Sequence, residues 1–101
     1  MATIKWANPA YSQLESVLNF IALDKPLAAR ALAGKVLKAV DRLQHFPASG
    51  RRPPEIPNGI YREVVCPPLR IFYRVSKNEV LIVHVMRQEQ VLRQFLLKAP
   101  G

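Results

Sequence analysis

The sequence predicts an α+β fold: an N-terminal strand, an antiparallel helical hairpin, a three-stranded antiparallel meander and a short C-terminal helix. Three observations carry this. Apolar residues recur at helical spacing through the first half, at Leu14, Val17, Leu18 and Ile21, then at Leu32, Val36, Val40 and Leu43. The second half has short runs rich in β-branched and aromatic residues, separated by turn residues. Between them lies PASGRRPPEIPNG, residues 47–59, whose four prolines and two glycines preclude a regular helix or a central strand.

Taken in order, Thr3-Ile4-Lys5-Trp6 alternates polar and apolar, the pattern of a short half-buried strand. Asn8-Pro9 is helix punctuation: Asn is a good N-cap and Pro is favoured at the first helical position. The spacing predicts a helix over roughly residues 9–23. Asp24-Lys25-Pro26 repeats the signal before an Ala-rich stretch that ends at Phe46-Pro47. So short a connection predicts an antiparallel hairpin. In the following loop, Arg51 and Arg52 are expected to be solvated.

Strands are predicted at Ile60–Val65, Arg70–Val75 and Val80–Val85, with breaks at Cys66-Pro67-Pro68 and Ser76-Lys77-Asn78-Glu79. The last strand is apolar almost throughout, so it is expected to be covered on both faces and central. Val91, Leu92, Phe95 and Leu96 suggest a docked amphipathic helix within Glu89–Lys98. A chain of 101 residues, half of them apolar, suits one domain over residues 1–101.

Fifteen Lys/Arg against seven Asp/Glu leave a net charge of +8, which implies an acidic partner such as nucleic acid or an acidic protein. Residues 1–50 carry six basic and three acidic residues and the rest carry nine and four, so the excess lies toward the C-terminal half, mostly as Arg. Arg suits phosphate and carboxylate recognition through its planar fork of donors. Cys66 is the only cysteine, which leaves no internal disulfide and no Cys-based zinc site. No metal or cofactor is expected. MATIKWANPA lacks a long apolar run and no stretch approaches a membrane span, so a cytoplasmic, soluble protein is expected.

Common catalytic signatures are missing: no Gly-rich phosphate loop, no GxSxG, no HExxH. His45 sits near a helix end. His84, inside an apolar strand, reads as a packed or hydrogen-bonded core residue. Cys66, beside two prolines, reads as a loop thiol. The carboxylates are scattered, with no paired arrangement. Arginines on strands remain. Alternation places Arg70, Phe72 and Arg74 on one face. A turn centred on Lys77-Asn78 would pair Val75 with Val80 and Phe72 with Val83. That register brings Leu81, Val83, Val85 and Arg87 to the Arg70 face, with the Cβ atoms of Arg70 and Arg87 roughly 5–8 Å apart. Two close cations call for an anion between them, either a carboxylate from Glu63 or Glu89 or a ligand phosphate. The proline break leaves the register of the first strand open by one residue, so the face taken by Arg62 is open too.

The ordered set Asp24-Lys25-Pro26-Leu27-Ala28-Ala29, Phe46-Pro47-Ala48-Ser49-Gly50-Arg51, Tyr61-Arg62-Glu63, Phe72-Tyr73-Arg74-Val75 and His84-Val85-Met86-Arg87 resembles the RelE/ParE toxins over nearly the whole chain. The resemblance implies the toxin of a type II toxin–antitoxin system, held by a cognate acidic antitoxin. The long Ala-rich hairpin resembles ParE, whose members poison DNA gyrase. RelE members instead cleave mRNA, usually on the ribosome. Arg70 matches the position of a RelE catalytic arginine and Arg62 that of a catalytic lysine. Arg87 lies near a second catalytic arginine, but no tyrosine follows it. The ParE-like reading, with Arg70, Arg74 and Arg87 contacting the target, is therefore favoured. The alternative is an endoribonuclease using Arg70, Arg87 and Arg62.

Overall fold

The computed structural model describes residues 1–93 and 97. It comprises β1 (Thr3–Trp6), α1 (Asn8–Ala22), α2 (Pro26–Asp41), β2 (Tyr61–Cys66), β3 (Leu69–Ser76) and β4 (Glu79–Arg87), with short 3-10 turns at Arg42–Gln44 and Pro47–Ser49. The sheet order is β1-β4-β3-β2, with β1 parallel to β4 and the other pairs antiparallel. The apolar strand β4 is thus central, as its lack of alternation predicts.

The helices begin as their prolines require, but the caps differ from expectation. Ala7, not Asn8, is the N-cap of α1, and no side chain caps it. Sheet pairing decides this: β1 runs to Trp6, and the Ala7 N–H is already bonded to the Ile82 carbonyl at 2.9 Å. Asn8 is thereby drawn into the first turn. Lys25 caps α2 in the same uncapped fashion. Ala10 and Leu14 of α1 and Ala29, Leu32, Val36 and Val40 of α2 are buried between the hairpin and the sheet.

One irregularity in the sheet has consequences for the site. Val75 pairs with Val80 as expected, but Phe72 pairs with His84 and not with Val83. The register shifts between Phe72 and Tyr73. Val83 is the extra residue of a β-bulge, and such a slip exchanges the faces of every later side chain on that strand. Val85 accordingly packs in the helix-side core with Ile71, Tyr73 and Ile82. Arg87 lies opposite Leu69 and does not share the face of Arg70, which corrects the predicted juxtaposition.

The opposite face carries a second apolar cluster of Phe72, Val83, Met86, Leu92 and Leu97. The helix expected within Glu89–Lys98 is not formed over Glu89–Arg93, which make a turn and an irregular segment, and residues 94–96 and 98 lie outside the described part; of its stripe, Leu92 is buried and Val91 exposed. Among the described residues no helix is long and apolar enough to cross a membrane.

Candidate functional site

Arg70 projects from β3 on the face away from the helices, 5.0 Å from the centre of the Phe72 ring. Its guanidinium is saturated. Nε and Nη2 donate to the two oxygens of Glu63 at 3.2 and 2.7 Å. Nη1 and Nη2 donate to the two oxygens of Glu55, both at 2.8 Å. Nη1 also reaches the Gln90 carbonyl at 3.3 Å. Two bidentate carboxylate pairs are the strongest arrangement an arginine can make. The Arg70 side chain is 6% exposed and that of Glu63 0%, so solvent screens this network little.

Glu55 extends the network to the C-terminal segment by accepting the Leu92 N–H at 3.1 Å. The Arg70 hydrogen bonds hold the Glu55 carboxyl down at about 2, against 4.5 ordinarily. The same two carboxylates, Glu55 first, push the Arg70 guanidinium above its usual range. Glu63 also accepts from Arg51, with Nη2 at 3.0 Å, and the backbones of the two residues form an isolated antiparallel bridge. Arg51 and Arg52 are exposed, as expected, yet each is also bonded: Arg51 to Glu63, and Arg52 to the Gly59 carbonyl. The loop has no periodicity to announce these bonds, but it must satisfy its polar groups somewhere.

The remaining predicted site residues do not converge on Arg70. Arg74 shares its face, half-buried opposite Tyr61 and Leu81. Arg62 pairs with Tyr73, which puts it on the helix side, where its Nη1 donates to the Gly50 carbonyl at 2.9 Å. Arg87 is exposed at the end of β4 and pairs with Glu89 at 2.9 Å. The two carboxylates named from sequence therefore each take an arginine, Glu63 on Arg70 and Glu89 on Arg87. Glu55 and its role on Arg70 were not foreseen.

Tyr73 and His84, two further groups capable of proton transfer, are committed to structure. Tyr73 Oη accepts from the Gly50 N–H at 2.9 Å and donates to the Pro47 carbonyl at 2.7 Å. Gly50 is required there, because an added Cβ would lie 2.8 Å from the Glu63 carbonyl and closer still to Tyr73. His84 is buried, and Gln13 of α1 contacts both it and its neighbour. Gln13 Oε1 accepts the Val85 N–H at 2.8 Å, so Gln13 Nε2 is the donor to His84 Nδ1 at 3.0 Å. The imidazole is then neutral with its proton on Nε2, and burial lowers its pKa. Cys66 is the last residue of β2 and buried, not a loop thiol, and burial pushes its pKa up. Among the described residues, no group of three or more His, Cys, Asp or Glu side chains is placed to hold a metal ion.

A groove of about 340 Å³ runs between α1 and the end of β4, lined by Gln13, Val17, Val85 and Met86 with Arg87 beside it.

Residues 4–92 match the family described as the ParE toxin of the type II toxin–antitoxin system parDE. Toxin RelE2 of Caulobacter vibrioides is 32% identical over 92% of this chain and 99% of its own length. A putative toxin, Y4kP, of Sinorhizobium fredii is 37% identical over 92% of this chain and 95% of its own. A solved structure of the chromosomal ParDE system from P. aeruginosa shares the fold, with a TM-score of 0.73 at 24% identity over 88% of this chain and 98% of that one. The chain therefore belongs to the ParE toxin family, within the RelE/ParE superfamily of type II toxins.

Proposed function

We propose that this toxin arrests growth by binding DNA gyrase and stabilising its cleaved-DNA complex, without cutting RNA itself. The observation that carries the reading is the occupancy of Arg70. A phosphate that used this guanidinium would have to displace carboxylates already bonded to it, leaving Glu63 buried and short of its partner. RNA cleavage by a 2′-hydroxyl also needs groups that take and return a proton. Arginine stays protonated. His84 and Tyr73 are spent on Gln13, Gly50 and Pro47. Binding a protein target asks none of this. Of the predicted contacts, Arg74 and Arg87 are left for the target, Arg87 by exchanging its exposed partner Glu89, and Arg70 serves by holding the face beside Arg74.

The partner that restrains the toxin is an antitoxin with an acidic amphipathic segment. The groove between α1 and β4 supports this, with half-buried Val17 above a floor of buried Val85 and Met86 for apolar side chains, and exposed Arg87 for a carboxylate. Association should be electrostatically steered and slow as salt rises.

The deciding experiment expresses the toxin alone, reads a DNA-damage reporter and maps mRNA ends, then incubates purified toxin with gyrase and supercoiled plasmid. The expected result is an induced damage response, linear plasmid after detergent treatment, and intact mRNA. Cleaved mRNA without a damage response would identify a RelE-like endoribonuclease and overturn the reading.

A further inference from the structure

One flank of α2 and of the turn that follows it carries cations that no carboxylate neutralises among the described residues. Lys35, Lys38 and Arg42 follow one another at spacings of three and four, so they form a row on one side of the helix. The rise from the first to the last is about 10.5 Å. All three are exposed. Among the described residues none of them forms a salt bridge, although four of the other basic residues do. Asp41, one residue before Arg42, makes none either. Like charges at these spacings repel and weaken the helix. The helix dipole offsets part of that repulsion for Lys38 and Arg42 at the C-terminal end, and among the described residues no carboxylate does so by a salt bridge.

Its surroundings define what fits it. The flank lies beside the edge strand β2, because Ala39 and Arg42 line one groove with Val64 and Val65. Arg42 borders a groove of about 420 Å³ with Ser49, Gly50 and Arg51. The Arg42 guanidinium rests on the Phe46 ring, 5.9 Å from its centre, a contact that orients it without neutralising it. Ala31 and the exposed Leu27 continue the line toward the N-terminus, one and two turns before Lys35, so from Lys35 onward it carries charge alone. Apolar lining, from Leu43, Val64 and Val65, is confined to the groove beside Arg42, and the row itself presents no apolar knob. It offers only regularly spaced positive charge on a rigid rod.

We infer that the Lys35–Lys38–Arg42 flank of α2 is a nucleic-acid contact surface that takes the sugar–phosphate backbone of duplex DNA. A backbone has charge at regular intervals and demands no apolar complement, which is the chemistry this flank presents. Arg42 supplies the oriented fork for one phosphate, and the lysines act as point charges on its neighbours. The contact is independent of sequence and separate from the identity of the protein target.

The test uses the purified full chain and a fluorescent 20-base-pair duplex, with anisotropy measured over a series of KCl concentrations. Three backbone contacts predict a slope of log affinity against log salt of about −2.7, at about 0.9 per phosphate. Replacing the row (Lys35→Gln, Lys38→Gln, Arg42→Gln) should weaken binding at least tenfold at low salt and flatten the slope. A charge-matched control elsewhere (Lys25→Gln, Arg30→Gln, Lys77→Asn) should weaken it less than threefold. Should the triple variant misfold by circular dichroism, Lys38→Gln alone should reduce the slope by about 0.9 and Lys38→Arg should restore it. Equal losses in row and control variants would reduce the effect to bulk charge and overturn the inference. So would the absence of binding at the lowest salt, or tighter binding of a glutamate-rich peptide of matched charge, which would make the occupant an acidic protein.

Discussion

The two faces of the sheet are built from different materials. Under the helices, Leu69, Ile71, Tyr73, Val80, Ile82 and Val85 meet Leu14, Leu32, Val36 and Val40 in one apolar core. On the other face a smaller cluster around Phe72, Val83 and Met86 is bordered by Arg70, Glu63 and Glu55, and a loop and the C-terminal segment lie against it. Apolar packing is non-directional and degrades gradually as volume is lost. A buried ion-pair network works only while all its members are present. The helix side should therefore respond to volume, and the open side to charge and pH.

Arg70→Ala should be the most damaging single change, costing about 3–5 kcal/mol because it strands the buried Glu63 carboxylate. A variant that removes the charges together (Arg70→Met, Glu63→Leu, Glu55→Gln) should regain much of that loss. Thermal melts check both, since each kcal/mol is worth roughly 4–8 °C in a domain of this size. An Arg70→Ala protein that melts with the wild type would mean the network holds nothing.

Ile82→Ala on the helix side should cost about 3 kcal/mol by leaving a cavity, with no dependence of that loss on pH between 4 and 8. A pH-dependent difference would show that the two faces are coupled.

Acid should act on the open side first. The Glu55 carboxyl, held at about 2 in the fold against 4.5 ordinarily, contributes stability that is full above 4.5 and lost as the pH falls toward 2. His84, whose pKa burial lowers, works in the same direction, and its loss begins as the pH drops below the ordinary imidazole value of 6.5. Melting temperature against pH should fall in these two stages, and Glu55→Gln should abolish the lower one. The smallest structural effect is expected from Arg87→Ala, whose partner Glu89 is exposed. Its melting curve should be unchanged while growth arrest weakens. Full toxicity in that variant would remove Arg87 from the target contact.

Much of this was legible in the sequence, and the misses share a cause. The hairpin and the meander announce themselves because their apolar residues repeat with the period of the element. The central place of β4 follows from its unbroken apolar run. That same run hid the bulge: in Val80-Leu81-Ile82-Val83-His84-Val85 every position but one is apolar, so an extra residue disturbs no alternation. The predicted neighbourhood of Arg70 and Arg87 failed for that reason alone. Glu63 was recognisable as an anion for Arg70 because both lie on strands with a definable register. Glu55 was not, because a Pro/Gly loop has no period from which to infer where a side chain points.

Gln13 bears on how the chain keeps to itself. Strand β1 has four residues and β4 has nine, and β1 pairs only as far as Ile82. Beyond that point β4 is a bare edge of apolar residues, the kind of template on which chains add to one another and aggregate. A glutamine side chain ends in the same amide group as the backbone, one donor side and one acceptor side. By taking the Val85 N–H, Gln13 occupies the position a stranger's strand would need. The molecule carries a single-residue imitation of a fifth strand, too short to be extended and fixed to a helix that cannot leave. A toxin that acts apart from its antitoxin has reason to keep its central strand from becoming a nucleus for fibres.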